Sequence, residues 1–208
     1  TKVIKNKNNS VDLIFNFDLN KRAIIKKINF QGNKIFRDSK LRNVIKSEEG
    51  KFWKFITSNK YLDESKIKND EIFLEKYYKN KGYFNVKIKS SYAKNINNEF
   101  FELNFNIDAG QKYYFNNISL EDNENFNTEN FIQLNEKLLK LKGEKYSLKK
   151  LNSLIDEIDN LALQKEFVFL NTKYDLSVLN QNKIDIIFKF NKLEKFYLKQ
   201  INIFGNFI

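Results

Sequence analysis

The chain has 208 residues, 41% of them hydrophobic, and carries 37 Lys or Arg against 26 Asp or Glu, a formal net charge of +11. Cysteine, histidine, methionine and proline are all absent, which removes disulfides, His/Cys metal sites, thiol nucleophiles and histidine bases together. The carboxylates are scattered among lysines as on a solvated surface, so no catalytic residue, cofactor site or metal site is expected.

The charge, with 10 Tyr and 21 Phe, invites a nucleic-acid reading. Two features weigh against it. Arg22, Arg37 and Arg42 are the only arginines, although the planar guanidinium is the preferred reader of phosphate and guanine. The enrichment in Lys, Asn, Ile, Phe and Tyr is also what A/T-rich codons produce whatever the function. No run approaches the roughly 18 apolar residues that span a bilayer, and Thr1-Lys-Val-Ile-Lys5 lacks a signal peptide's apolar stretch, so a soluble segment of a longer protein is expected.

In chain order, the first clear pattern is an alternating strand, Val11–Phe17, a short polar turn, Asp18–Arg22, and a second strand, Ile25–Asn33. Asp38 is then placed to cap a helix with Leu41, Val44 and Ile45 inward. A second helix starts near Asp63, sets Ile67, Leu74 and Tyr78 on one face, and stops at Gly82, where a left-handed cap suits glycine. A strand over Tyr83–Tyr92 and a polar turn around Asn95–Asn98 follow.

The strand–turn–strand pattern returns at Glu102–Ile107, Asp108–Lys112 and Phe115–Asn123, and again at Ile184–Phe190, Asn191–Lys195 and Leu198–Asn206. Between these two copies lie a helix capped by Asn127 or Thr128, with Phe131, Leu134, Leu138 and Leu141 inward, and a stop at Gly143. Ser147 caps the next helix, with Leu151, Leu154, Ile155, Ile158, Leu161 and Ala162 inward, and a strand covers Phe167–Val178.

Each junction keeps the same eleven-residue step, from Phe17 to Ile28, Ile107 to Ile118 and Phe190 to Ile201. The copies are 90 and 83 residues apart, too long for solenoid repeats and right for small tandem domains. Each unit is thus β-α-α-β-β, an α+β arrangement with both helices on one face of a sheet. The five-residue junctions predict short, stiff joints.

This order resembles the POTRA domain. The resemblance rests on Ile28-Asn-Phe-Gln-Gly-Asn33, on Asp70, Leu74, Tyr78 and Gly82-Tyr83 at four-residue spacing, and on Asn104-Phe-Asn-Ile-Asp-Ala-Gly110. The second unit keeps the framework but has Asp122-Asn123, Ala162 and Glu166-Phe167 at the matching places. The resemblance implies a three-stranded mixed sheet in each unit. It divides the chain into residues 1–20, the end of a preceding POTRA; 21–110 and 111–192, complete domains; and 193–208, the first strand of another.

The long connection Gly50–Tyr61 and the short Gly143–Tyr146 are similar to those of the third and fourth domains of barrel-assembly arms. The resemblance further implies a periplasmic location in a Gram-negative bacterium, a C-terminal membrane barrel on the same protein, accessory lipoproteins, and unfolded outer-membrane proteins as clients. The alternatives are a passive spacer, the arm of a related secretion barrel, or a basic nucleic-acid-binding module.

By the same resemblance, client strands would add to the strand after the second helix. That strand comprises Asn85, Val86, Lys87, Ile88, Lys89, Ser90 and Ser91 in one unit, and Phe169, Leu170, Asn171, Thr172, Lys173, Tyr174 and Asp175 in the other. Lys87 and Lys89 are equally suited to preventing such pairing. Phe52, Trp53 and Phe55 form a possible partner loop or a plug beneath the helices. Gly32, Asn33, Gly82, Tyr83, Gly205 and Asn206 are expected to serve turns.

Overall fold

A computed structural model describes residues 2–5, 10–14, 23–51, 57–97, 99–121, 132–164, 170–192, 200 and 202. Strands β1 (Lys2–Lys5) and β2 (Val11–Ile14) pair antiparallel. The first full unit then contains β3 (Ile24–Asn33), α1 (Asp38–Arg42), α2 (Glu64–Lys79), β4 (Lys87–Asn97) and β5 (Phe100–Asp108). The second repeats the order with β6 (Tyr114–Leu120), α3 (Ile132–Lys140), α4 (Leu148–Gln164), β7 (Leu170–Leu179) and β8 (Lys183–Lys192).

Each unit has a mixed three-stranded sheet, ordered β3-β5-β4 and β6-β8-β7. The last strand lies in the centre, parallel to the first and antiparallel to the second, so the hairpin folds back against the strand that opened the unit. Along β5 the side chains of Leu103, Phe105 and Ile107 are buried at alternate positions. They join Ile28 and Phe30 of β3, Leu41 of α1, and Ile67, Leu74 and Tyr78 of α2 in one core. A second core gathers Phe115, Ile118, Ile184, Ile186 and Phe188 from the other sheet with Leu134, Leu138, Leu151, Leu154 and Ile158 from α3 and α4.

Local capping chemistry defines α2 at both ends. The Asp63 carboxylate accepts the Lys66 N–H at 3.0 Å. At the other end the Tyr83 N–H returns to the Tyr78 carbonyl, while Gly82 takes φ +101°. A β-carbon on Gly82 would also lie 2.9 Å from Cγ of Lys112. Gly82→Ala should therefore destabilise the chain by about 1 kcal/mol, and a melting temperature equal to the parent's would contradict this reading of the cap. Ser147 caps α4 as expected, accepting the Lys150 N–H at 3.3 Å.

Three local expectations need correction. The N-cap of α1 is Arg37, with no side-chain cap, because Asp38 is already helical and its carboxylate pairs with Lys34. The strand expected at Tyr83–Tyr92 instead runs Lys87–Asn97. Tyr83 and Phe84 are spent on the turn that leaves α2, where the Phe84 N–H donates to the Gly82 carbonyl and the Val86 N–H to Tyr83. Finally, the polar segment Asn95–Asn97 continues the strand rather than turning it, and β8 likewise runs on through Asn191 and Lys192. The Asn127/Thr128 cap, Phe131 and Glu166-Phe167 lie outside the described residues.

Contacts cross the joint at Asp108–Lys112. The Tyr113 N–H donates to the Gly82 carbonyl at 2.8 Å, and the Asn80 side-chain oxygen accepts the Lys149 N–H at 2.7 Å, occupying one of α4's first free donors from the neighbouring unit. Phe84 meets Tyr113 and Tyr146 edge-on, with ring centroids 5.7 and 5.1 Å away. Burial pushes the Tyr146 hydroxyl pKa up to about 12.

Candidate polypeptide-binding edges

Each three-stranded sheet has two edges, and an edge strand carries backbone N–H and C=O groups with no partner inside the sheet. In the first unit the β3 edge is closed by the chain itself. The Arg42 guanidinium donates to the Ile28 carbonyl at 2.7 Å, and the Glu49 carboxylate accepts the Ile28 N–H at 3.0 Å, so both groups of one residue are occupied. Arg42 and Glu49 hold each other at 2.7 Å. The Gly50 N–H adds a bond to the Ile25 carbonyl, Leu62 donates to Ala23, and Tyr61 bridges Ile24.

The second unit closes the corresponding edge with its shorter connection. Gly143 donates to the Phe115 carbonyl, Phe115 donates to Glu144, and Tyr146 donates to Tyr113, at 2.8 to 2.9 Å. Lys145 bridges Tyr114. Gly143 itself takes φ +83°, which lets the connection bend back onto the strand.

The opposite edges, β4 and β7, differ. Along β4 the one outside group that reaches the backbone, among the described residues, is the Glu71 carboxylate of α2, which accepts the Ser90 N–H. Along β7 no bond to the backbone from outside the sheet occurs among the described residues. The bond to Glu71 also fixes parity. Ser90 points its N–H away from β5, so Ile88 and Tyr92 do the same, while Lys87, Lys89 and Ser91 bond inward to Asp108, Asn106 and Asn104.

Parity also assigns the side chains. Ile88 and Ser90 face the helices opposite buried Ile107 and Phe105, and Lys87 and Lys89 stand exposed on the other face of the sheet. On β7, Lys173, Tyr174 and Asp175 are exposed, whereas Thr172 is buried with its hydroxyl donating to Asp159 of α4 at 2.5 Å. Asp175 is bonded to Lys189 at 2.7 Å on the neighbouring strand, and that carboxylate raises the Lys189 pKa.

Of the residues singled out from sequence, Lys87 to Ser91 and Leu170 to Asp175 lie on the edge strands β4 and β7. Asn85 and Val86 do not: they precede the strand, with Asn85 donating its amide to the Tyr113 hydroxyl at 2.8 Å and Val86 buried. Phe52, Trp53, Phe55, Phe169, Gly205 and Asn206 lie outside the described residues. Gly32 serves backbone geometry, with φ +84° and a hypothetical β-carbon 2.5 Å from the Ile107 carbonyl oxygen; Asn33 ends β3. Sequence reasoning missed Arg42, Glu49 and Gly50 as edge covers, since nothing in their local pattern ties them to β3.

Both units share a β-α-α-β-β order, a closed first strand, a central last strand and two helices on one face. Residues 23–110 match the model of the family described as POTRA, surface antigen variable number repeat, and are a POTRA domain; the second unit repeats the architecture. Over 208 residues, 99% of its length, the chain is 26% identical to the outer membrane protein assembly factor BamA of Neisseria meningitidis serogroup B. It is 22% identical over 198 residues, 95% of its length, to BamA of Neorickettsia risticii.

The chain spans 26% of the length of each of these two relatives. Its fold is similar to the crystal structure of Haemophilus influenzae BamA POTRA3-5, with a TM-score of 0.62 at 15% identity, covering 81% of this chain and 66% of that one. BamA from Haemophilus ducreyi lacking POTRA domains 1-3 gives a TM-score of 0.60 at 15% identity, covering 82% and 29%.

Proposed function

We propose that the chain is part of the periplasmic arm of an outer-membrane barrel-assembly protein, and that β4 and β7 pair with extended segments of unfolded outer-membrane proteins bound for the barrel. One observation carries this reading: in both units the chain closes the first strand's edge with its own connection, whereas among the described residues the other edge carries no such cover, the Glu71 carboxylate on the Ser90 N–H excepted. Backbone pairing is indifferent to side-chain identity, which suits a scaffold that handles many clients. The likeness to the outer membrane protein assembly factor BamA supports the setting, and the proposal includes a membrane barrel elsewhere on the protein and accessory lipoproteins on the arm. No catalytic step is assigned to it.

Within this proposal residues 21–110 and 111–192 are complete domains, third-like and fourth-like, flanked by the end of one domain and the start of another. The matched span 23–110 supports the first boundary. A second reading, a passive spacer, is favoured by the Glu71 carboxylate on the Ser90 N–H and by the charges of Lys87 and Lys89 beside that edge.

Crosslinking separates the two. A photoreactive residue in place of Lys87 on the open strand should capture an unfolded outer-membrane protein, and one in place of exposed Lys27 on the closed strand should not. Equal capture at both positions, or none at Lys87, would favour the spacer.

A further inference from the structure

The helices of the second unit carry a surface that the edge reading does not use. Between α3 and α4 lies a groove of about 570 Å³ floored by Leu141 and Leu154 and rimmed by Lys137, Lys140, Lys149 and Lys150, with no acidic residue in its lining among the described residues. Lys137 pairs with Glu157, and Lys150 with Glu144. Lys140 and Lys149 are exposed and make no ion pair among the described residues.

A second hollow of about 710 Å³ shares Ser147 and Lys150 with the first and extends it toward the joint, adding Lys81, Lys112 and Lys145 against Glu144, the one carboxylate in its lining among the described residues. The sign is local rather than a reflection of the chain's overall charge. Further along α4 the next hollow is lined by Asp156 and Glu157 and, among the described residues, by no lysine.

The geometry points to a docking site for an acidic, amphipathic polypeptide segment, its apolar side chains on Leu141 and Leu154 and its carboxylates among the lysines. Charge complementarity selects the partner, and the floor selects its class. An apolar floor is desolvated by aliphatic or aromatic side chains, which a phosphate backbone does not offer. Lysines are mobile point charges that match scattered carboxylates, whereas phosphate recognition favours the guanidinium fork, absent from this rim. The site lies on the helices, away from the β4 edge, and stands whether or not that edge binds clients.

The test uses the 208-residue chain and a short helix-forming peptide with Glu on one face and Leu on the other, titrated by fluorescence anisotropy. The parent should bind it, more weakly as salt rises. Lys140→Glu with Lys149→Glu should weaken binding about tenfold or more with an unchanged melting temperature, and Ser90→Pro, on the open edge, should leave it unaltered. No binding by the parent, or equal binding by the double variant, would overturn the proposal. Lysine-dependent binding to anionic phosphatidylglycerol vesicles without peptide binding would replace it with a membrane contact.

Discussion

Lys89→Pro should lower the stability of the first sheet by about 2 kcal/mol, whereas Ser90→Pro, one residue further along the same strand, should cost only about 0.5 kcal/mol. Both side chains are tolerant, since Lys89 is exposed and Ser90 is small and only half-buried. The difference comes from the backbone. Lys89 opposes Asn106 with its N–H turned into the sheet, so proline removes a ladder bond and strands a carbonyl of the central strand. Ser90 turns its N–H outward to the Glu71 carboxylate, which can return to water when that donor is lost. Denaturant melts of the two variants beside the parent check the parity, and equal destabilisation would show that it is misassigned.

Asp70→Ala should cost about 3 kcal/mol, the largest loss expected from any single polar side chain in the first unit. Its residue is 0% exposed, and its carboxylate accepts the Lys46 and Ser47 N–H groups at 2.6 and 3.1 Å. Truncation leaves both backbone donors, one of them on buried Ser47, without an acceptor in a space that an alanine methyl does not fill. Asp70→Asn keeps one acceptor oxygen and should fall between. By contrast Asp38→Ala, which removes an exposed pair with Lys34, should stay within about 0.5 kcal/mol of the parent. A melt in which Asp38→Ala and Asp70→Ala behave alike would contradict the role given to Asp70.

The two residues also show what a sequence can reveal. The helix from Asp63 to Gly82 is legible because its start, stripe and stop are local: a capping carboxylate, an apolar face at Ile67, Leu74 and Tyr78, and a glycine at positive φ. The repeated junction is legible because strand alternation and turn length recur together. Asp38 misleads because an acidic residue suits both the N-cap and the first helical turn, and local preference does not separate positions one residue apart.

The start of β4 misleads for another reason. Phe84, Val86 and Ile88 alternate as a strand would, yet Phe84 leaves the pattern to meet Tyr113 and Tyr146 of the other unit. That contact is tertiary. The candidate edge shows the same division: its strand is readable from alternation, but its openness is not. Openness depends on where the connections Arg42–Leu62 and Gly143–Tyr146 go, and their bonds to the first strand of each unit join positions 14 to 39 residues apart in sequence.

The central claim is that the open edge of β4 receives an extended client strand through its backbone. Its most direct measurement is a titration of the 208-residue chain with a peptide copied from a transmembrane barrel strand, followed at the amide resonances of β4. The Ile88, Ser90 and Tyr92 amides should shift and become protected from exchange in the parent, and Ser90→Pro, still folded, should weaken binding at this strand about tenfold. Undiminished affinity in folded Ser90→Pro, or shifts confined to β3, would contradict it.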